Sequence, residues 1–190
     1  MGAGQLDGKR VAFAIANEGV EQVELTGPWD AVVVAGGHPV LVSIKPGKVQ
    51  AFNHLDKGDE FSVDKTFEQV AVDEFDALML PGGVSNPDAL RTDATAVAFV
   101  KSFFEADKPV AAICHAAWTL VEADVVQGRT LTSWPSLRTD VTNAGGTWKD
   151  EEVVRDGMLV TSRKPDDLPA FNKAMVALFA GTQSHVDERH

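Results

Sequence analysis

Runs of consecutive apolar residues alternate along the chain with segments whose apolar residues recur at helical spacing. A run without polar alternation is typical of a strand that is covered on both faces of a sheet. Such runs lie at residues 11–16, 40–44, 77–80 and 110–113. Helical spacing predicts helices at residues 21–37, 94–106, 115–122 and 137–143. Strands and helices in this order predict a mostly parallel sheet with helices on both faces.

Shorter segments complete the predicted elements. Residues 49–63 predict short strands and a loop, and residues 131–133 predict one short strand. Residues 153–161 predict a hairpin, because an Asp-Gly pair stands between two apolar runs. A last helix begins near residues 166–167, where a carboxylate can cap its first turn.

Length and composition narrow the class of protein. The 190 residues predict one domain, with a core over about residues 9–181 and a solvated tail at 183–190. The formal net charge of -11 argues against binding to a nucleic-acid backbone, because such proteins concentrate lysine and arginine. No stretch approaches the about 18 apolar residues of a membrane span, and the N-terminus lacks the apolar segment of a secretion signal. The single cysteine excludes an intramolecular disulfide, so we expect a cytoplasmic protein.

Three segments follow predicted strands at the point where each strand ends. Residues 16–17 follow the first strand, residues 81–83 end the middle strand, and Cys114 follows the next one. Ligands of parallel sheets bind at the carboxyl ends of the strands. We therefore expect these three segments to meet at one site.

Cys114 stands between a buried strand and a helix, with small residues on both sides. Small neighbours allow a sharp turn that lifts one side chain above the sheet edge, so we expect a nucleophile elbow with unusual backbone angles at Cys114. A helix N-terminus favours the thiolate and lowers the thiol pKa. The backbone amides of His115 and Gly83 are candidates for an oxyanion hole. The alternative is a small, inert core cysteine.

The pattern leaves the acid–base partners open. Adjacent residues of a helix do not face each other, so a direct hydrogen bond from Cys114 to His115 needs an unusual elbow. His115 is either the base for the thiol or a histidine bound to a carboxylate at an interface. Periodicity favours Glu18, Glu21 and Glu24 as solvated residues of a first turn. A buried carboxyl among them would instead stay protonated and donate to the sulfur.

Six segments together carry a resemblance to a known family. They read "NEGVEQVELTGPWDA", "NHLDKGD", "LMLPGGVSNPDALR", "KPVAAICHAAWTLVEA", "LTSWPSLRTD" and "LVTSRKPDDLPAF". On these residues the chain resembles the PfpI family, the intracellular-protease and stress-protein branch of the class I glutamine-amidotransferase-like superfamily. The resemblance implies a flavodoxin-like three-layer α/β sandwich and a homo-oligomer of two or more subunits.

The resemblance also implies roles for single residues. It implies a reactive Cys114 followed by His115, with Glu24 donating a proton to the sulfur. It implies a carboxylate that reaches the histidine from a neighbouring subunit. That position is Asp88 here, where family members often carry a longer glutamate.

The remaining residues that the resemblance implies are expected to bind the substrate and not to react with it. The loop of Gly82 and Gly83 supplies an oxyanion and substrate site together with the amide of His115. The resemblance implies that Trp134 forms a wall of the pocket, the alternative being a packing aromatic beside a proline turn.

Two functions of different class follow. The first is a thiol-dependent hydrolase or deglycase acting on small carbonyl compounds or glycated proteins and peptides, with peptide hydrolysis as a variant. The second is a non-catalytic stress protein or chaperone in which Cys114 senses oxidants as sulfenic or sulfinic acid. No dinucleotide fingerprint or P-loop is present, so we expect no cofactor. His54 with Asp56 and Asp59 matches no metal-ligand spacing, and we expect a solvated loop there.

Overall fold

A seven-stranded sheet forms the centre of the computed structural model, which describes residues 4–181. The predicted tail at 183–190 lies outside the described residues. The strands are β1 (Arg10–Ala14), β2 (Glu18–Glu21), β3 (His38–Ser43), β4 (Lys48–Asn53), β5 (Asp56–Ser62), β6 (Lys65–Thr66), β7 (Ala77–Leu80), β8 (Val110–Ile113), β9 (Thr130–Leu131), β10 (Thr147–Trp148), β11 (Val154–Asp156) and β12 (Leu159–Ser162). The α-helices are α1 (Gln22–Val34), α2 (Ser85–Leu90), α3 (Ala94–Glu105), α4 (Ala117–Glu122), α5 (Arg138–Asn143) and α6 (Leu168–Ala180).

The strand order confirms the predicted flavodoxin-like class. The central sheet runs β11-β12-β8-β7-β1-β3-β6, and its neighbouring strands are parallel except for the pair β11 and β12. The five longer parallel strands are β1, β3, β7, β8 and β12. When they are numbered 1 to 5 in chain order, they lie side by side in the order 2-1-3-4-5, which is common in doubly wound sheets. The order reverses between β1 and β7, and a ligand site is expected outside the carboxyl ends of these strands.

Successive residues of the buried strands point to two separate cores. Ala12 packs into a core with Phe99 and Phe103 of α3, whereas Phe13 packs into the opposite core with Phe171 of α6. Alternation of this kind is what a pleated strand covered on both faces requires. The chain is therefore a three-layer sandwich, as predicted.

One part of the architecture differs from the sequence-based prediction. The segment 18–21 is a strand, β2, that pairs with β4, and α1 begins only at Gln22. This strand depends on pairing between residues far apart in the chain, which local spacing does not reveal. The short strands and loop predicted over 49–63 are present as β4, β5 and the turn between them.

The remaining elements include one omission and one error of detail. Helix α2 follows the glycine loop directly and was not predicted. Helix α6 begins after Asp167, but the Asp167 side chain does not cap it. Its carboxylate instead accepts hydrogen bonds from Arg163, a charged and therefore stronger partner. The hairpin of β11 and β12 is confirmed. Within residues 4–181, no helix has the length and apolar character needed to cross a membrane.

Candidate active site

A cleft of about 700 Å³ opens at the carboxyl edge of the sheet, beyond the ends of β7 and β8. It brings together most of the residues singled out from the sequence. Its walls include Glu24, Gly83, Asp88, Cys114, His115 and Trp134. Of the three segments predicted to meet here, the glycine loop and Cys114 line the cleft, whereas residues 16–17 do not.

Cys114 occupies a backbone turn of the predicted unusual kind. Its φ is +63°, in the left-handed region that a residue with a Cβ rarely adopts. Strand β8 ends at Ile113, and one 3₁₀ turn over Cys114–Ala116 leads into α4. Gly82 faces the elbow so closely that an added Cβ would stand 2.6 Å from the Cβ of Cys114. The elbow therefore requires glycine on the opposite loop.

The left-handed turn brings the side chains of Cys114 and His115 together. Cys114 Sγ lies 3.1 Å from His115 Nδ1, although adjacent residues of a regular helix do not face each other. The imidazole stacks on Trp134 at 5.6 Å between ring centroids and meets the edge of Trp118 at 5.1 Å. Burial lowers the pKa of His115, which favours the neutral ring, and in the tautomer with its proton on Nε2 the Nδ1 lone pair faces the thiol.

Glu24 is fully buried, so the solvated position that periodicity favours is wrong, and the alternative of a buried carboxyl is the one observed. Its Oε1 accepts a hydrogen bond from the Gly83 amide at 3.2 Å, while Oε2 has no hydrogen-bond partner. Burial, with a smaller effect of the nearby Glu21, raises the pKa of Glu24 to about 8. The carboxyl is therefore protonated near neutral pH, and it faces the Cys114 thiol.

The pKa of Cys114 shifts in the opposite direction from the one predicted. Burial raises the pKa of the thiol, and a charged Glu24 raises it further. The backbone amides of His115 and Gly83 both point at the sulfur and lower the pKa, but by less. The helix that follows is only six residues long, so its dipole is weak. At rest the residue is a thiol, and the Gly83 amide that lies near the sulfur also donates to Glu24 Oε1.

Asn86 connects the segments of the site and was missed by sequence reasoning. It is fully buried on α2, and its Oδ1 accepts a hydrogen bond from the Ala16 amide at 2.7 Å. Its Nδ2 donates to the carbonyls of Pro81 and Gly82, both at 3.0 Å. Asn86 therefore ties the end of β1 to the glycine loop after β7. A lone asparagine in an unpredicted helix gives no local signal of this role.

The other candidate residues lie at or near the cleft without contacting the thiol. Gly82 does not line the cleft, and its amide faces Glu24. Asp88 is exposed on the cleft wall and makes no hydrogen bond to His115 within this chain. His54 is exposed in the turn between β4 and β5, as expected for a solvated loop, and it also lines the cleft rim. Across residues 4–181, no three His, Cys, Asp or Glu side chains are grouped as metal ligands.

Comparison with known proteins gives consistent matches over almost the whole chain. The model of the DJ-1/PfpI family matches residues 9–178. Protein/nucleic acid deglycase 2 of Escherichia coli is 44% identical over 172 residues, which cover 90% of this chain and 97% of that protein. General stress protein 18 of Bacillus subtilis is 40% identical over 176 residues, with 90% and 98% covered. The crystal structure of DJ-1beta from Drosophila melanogaster has a TM-score of 0.82 and 28% identity, with 92% and 91% covered.

Proposed function

The chain belongs to the DJ-1/PfpI family, and from this premise we propose that it is a cysteine-dependent deglycase that hydrolyses adducts of glyoxal-type carbonyl compounds. The names of the relatives, deglycase and general stress protein, support a hydrolase-type activity and a stress-related role at the level of the family. The observation that carries the proposal is the 3.1 Å contact between Cys114 Sγ and His115 Nδ1. It lies in an open cleft beside a buried carboxyl that is neutral below pH 8.

The first step breaks the bond between the amine and the carbonyl compound. A methylglyoxal adduct has the form R–NH–CH(OH)–CO–CH₃. His115 Nδ1 takes the thiol proton as Cys114 Sγ bonds to the carbinol carbon. The carbon–nitrogen bond breaks, the nitrogen takes a proton, and the free amine leaves. A hemithioacetal, Cys–S–CH(OH)–CO–CH₃, remains on the enzyme.

The second step is an internal redox exchange followed by hydrolysis. The carbinol carbon loses its proton and is oxidised to a thioester, while the ketone carbon is reduced to an alcohol, so no external oxidant is needed. Two protons move in this exchange. The protonated Glu24 supplies one to the ketone oxygen and recovers one from the carbinol hydroxyl, while His115 takes the C–H proton and returns it to the former ketone carbon. The amides of Gly83 and His115 stabilise the oxyanions. Water then cleaves the thioester to lactate and the thiol, so that adduct and water give amine and lactate.

Three further parts of the proposal concern the oligomer, the role of Asp88 across a subunit contact and the cellular compartment. We propose a homo-oligomer in which Asp88 of a neighbouring copy orients His115. An exposed carboxylate on the cleft wall, without a hydrogen bond to its own His115, supports this role. A single free thiol supports a reducing compartment, the cytoplasm.

The decisive experiment replaces Cys114 by serine and measures lactate directly. We expect lactate formation from methylglyoxal adducts to fall by at least about a thousandfold, because the hydroxyl is a weaker nucleophile. The matched control is Ser136→Ala, which changes an exposed hydroxyl outside the cleft and should retain full activity. Thermal unfolding of both variants establishes that they fold.

The assay must separate attack on the adduct from removal of free methylglyoxal. Adduct formation is reversible, so loss of adduct alone does not identify the substrate. Lactate release faster than the spontaneous dissociation of the adduct supports a deglycase. Lactate release limited by that dissociation assigns the chain to hydration of the free carbonyl compound instead, and lactate formation by Cys114→Ser contradicts the mechanism.

A second candidate function uses the same thiol as an oxidant sensor. A neutral buried carboxyl and two amides beside the sulfur suit a sulfinate, which needs hydrogen-bond donors. No other cysteine is available to resolve a sulfenic acid by an internal disulfide. Addition of two oxygen atoms at low peroxide, seen by intact mass without turnover of any adduct, would favour the sensor. Peptide hydrolysis is the further variant, and release of peptide fragments by wild type but not Cys114→Ser tests it.

A further inference from the structure

The glycine loop that faces Glu24 and Cys114 has no side chain of its own to hold its shape. Gly82 has no room for a Cβ, which would stand 2.6 Å from both Glu24 Oε1 and the Cβ of Cys114. Gly83 has a φ of +82°, a conformation that glycine adopts and leaves at low cost. The peptide plane between two glycines rotates easily, so the direction in which its N–H points must be fixed from outside the loop.

The side chain of Asn86, on the helix that follows the loop, provides this constraint. Its Nδ2 donates to the carbonyls of Pro81 and Gly82, both at 3.0 Å. Both peptide bonds are trans, so the N–H of the next residue points away from each carbonyl. One side-chain amide therefore turns the N–H groups of Gly82 and Gly83 to the side of the loop opposite Asn86.

The two groups that exchange protons in the proposed reaction lie on that opposite side. The Gly83 amide donates to Glu24 Oε1 at 3.2 Å, and the Gly82 amide faces the same carboxyl. The Gly83 amide also points at the sulfur of Cys114. Both donors of Asn86 are used by the loop carbonyls, so its influence on these groups passes through the peptide planes.

The orientation of the Asn86 side chain is itself determined by the central sheet. Its Oδ1 accepts a hydrogen bond of 2.7 Å from the amide of Ala16, just after β1. An N–H needs an oxygen and the two carbonyls need a nitrogen, so the two ends of the side-chain amide cannot be exchanged. Asn86 is fully buried and does not line the cleft, so it does not meet a bound substrate.

We propose that Asn86 is a positioning residue for the thiol chemistry. By holding two carbonyls of the glycine loop, it aims the N–H groups that follow them at Glu24 and at Cys114. The benefit to catalysis rests on the proposed deglycase function, whereas the aiming of the N–H groups does not. Without Asn86, the peptide between Gly82 and Gly83 rotates, and its carbonyl turns toward the carboxyl in place of its N–H. A carbonyl there accepts the carboxyl proton in a hydrogen bond and favours the protonated form.

Glu24 is a suitable reporter because its other neighbours stay the same when Asn86 is replaced. Burial and, less strongly, Glu21 hold the pKa of Glu24 at about 8, and the loop amides and the Cys114 thiol keep it from rising further. Glu21 is engaged in turn by His54, whose amide donates to it at 3.1 Å. The ionisable groups that line the cleft with Glu24 are Glu18, Glu21, His54, Asp88, Cys114 and His115.

The first test measures the ionisation of Glu24 and does not depend on turnover. Carboxyl ¹³C NMR of protein labelled at glutamate Cδ follows the titration, and Glu24→Gln identifies the signal. Asn86→Leu is close in shape to wild type and removes both donors and the acceptor. We expect the Glu24 midpoint to rise by about one pH unit, because the carboxylate loses its N–H donors. Asn86→Ser keeps one hydroxyl of shorter reach and should give a smaller rise.

The matched control is Lys108→Met. The Nζ of Lys108 donates to the carbonyls of Val72 and Phe75 at 2.9 and 2.7 Å, so it also ties two backbone carbonyls, and it does not line the cleft. The variant should lower Tm, as the Asn86 variants do, because buried carbonyls lose their donors. It should leave the Glu24 midpoint unchanged within about 0.2 pH unit.

Steady-state kinetics test the link to catalysis. In lactate formation from a methylglyoxal adduct, Asn86→Ser should lower kcat by about tenfold and leave KM within about twofold of wild type. The reason is that Asn86 acts on the groups that exchange protons and does not contact the substrate. A loss of activity through unfolding would instead follow the unfolded fraction, which urea denaturation measures.

A measurement on the wild-type protein covers the case in which neither Asn86 variant folds. Scalar couplings across the hydrogen bonds should join Asn86 Nδ2 to the carbonyl carbons of Pro81 and Gly82 on both sides of the Glu24 titration. The ¹⁵N shift of the Gly83 amide should follow that titration. Loss of the couplings when Glu24 is protonated, or a Gly83 amide that does not respond to Glu24, overturns the proposal.

The outcomes separate this proposal from the proposed function. If the Asn86 variants fold and the Glu24 midpoint does not move, the positioning role is overturned whatever the activity. If the midpoint rises but wild type converts no adduct, the deglycase function fails while the aiming of the N–H groups is supported. If the midpoint rises and kcat stays at the wild-type value, the benefit to catalysis is overturned.

Discussion

Two buried carboxyl groups in this chain have opposite electrostatic surroundings. Asp167 is 2% exposed, and the Arg163 side chain donates to it from Nε at 3.0 Å and from a terminal nitrogen at 2.9 Å. Glu24 is fully buried without a cation, and it lies against the backbone amides of Gly83 and Gly82 and the Cys114 thiol. A buried carboxylate with a guanidinium anchors a loop, whereas a buried carboxyl without one holds a proton.

The two surroundings suit different tasks. The Arg163–Asp167 pair fixes the turn before α6, where Pro165 forms part of the cleft wall. Glu24 lies beside the thiol, where a group that exchanges its proton near neutral pH is useful in acid–base chemistry. Of the two buried carboxyls, the one beside the thiol, Glu24, is thus the one without a cationic partner.

The largest expected effect is the pH dependence of stability at Glu24. Its pKa rises from 4.5 to about 8 on folding, so the stability it contributes is complete below pH 4.5 and is lost as the pH rises toward 8. Glu24→Gln removes this titration. We expect the variant to gain stability relative to wild type between pH 5 and pH 8, by several kcal/mol in total.

Urea unfolding at several pH values measures that difference. Glu105→Gln, at an exposed position, is the matched control and should show no trend. A difference that stays constant from pH 5 to pH 8 would show that Glu24 ionises normally. Deglycase activity of Glu24→Gln should fall by about a hundredfold if the carboxyl transfers protons.

A smaller effect is expected from removing the charge of the paired carboxylate. Asp167→Asn weakens the charge-assisted hydrogen bonds from Arg163 and should lower the free energy of unfolding by about 2–3 kcal/mol. The rate of Cys114 alkylation in the folded protein should not change. A large change in that rate would mean that the Arg163–Asp167 pair influences the thiol, and the two carboxyls would then not act independently.

The smallest effect on stability is expected from a substitution of Arg163 that keeps its positive charge and changes the shape of the charged group. Arg163→Lys retains the charge but loses the planar fork that contacts Asp167 and also Asp150, at 2.8 Å. We expect a loss of about 1 kcal/mol in unfolding free energy, measured by urea denaturation. A loss as large as that of Asp167→Asn would show that geometry, and not charge, holds the turn.

Local patterns predicted the sheet and the position of the nucleophile well. The buried strands β1, β7 and β8 are continuous apolar runs, and the elbow at Cys114 follows from a strand that ends beside small residues. Both features depend on neighbours in sequence, so a single chain reveals them.

The electrostatics of the site could not be predicted in the same way. Periodicity alone placed Glu24 in water, because helical spacing gives a residue's face but not what covers that face, and its place beside the sulfur was expected only from the family resemblance. The thiol pKa was expected to fall because the helix end is visible in the sequence and the burial is not. The contact of Cys114 with His115 depends on one φ angle, and Asn86 acts through partners up to 70 residues away.

At the left-handed backbone of Cys114, the residue that would be most stable differs from the residue that the chemistry needs. A side chain with a Cβ in that region costs about 1–2 kcal/mol, and glycine would remove the cost. His54, Asp107 and Asp124 share the conformation, but histidine and aspartate tolerate it better than cysteine. Selection for stability alone would therefore replace Cys114 by glycine and leave a well-folded, inert protein. The thiol persists only where its chemistry outweighs the stability that the chain would gain without it.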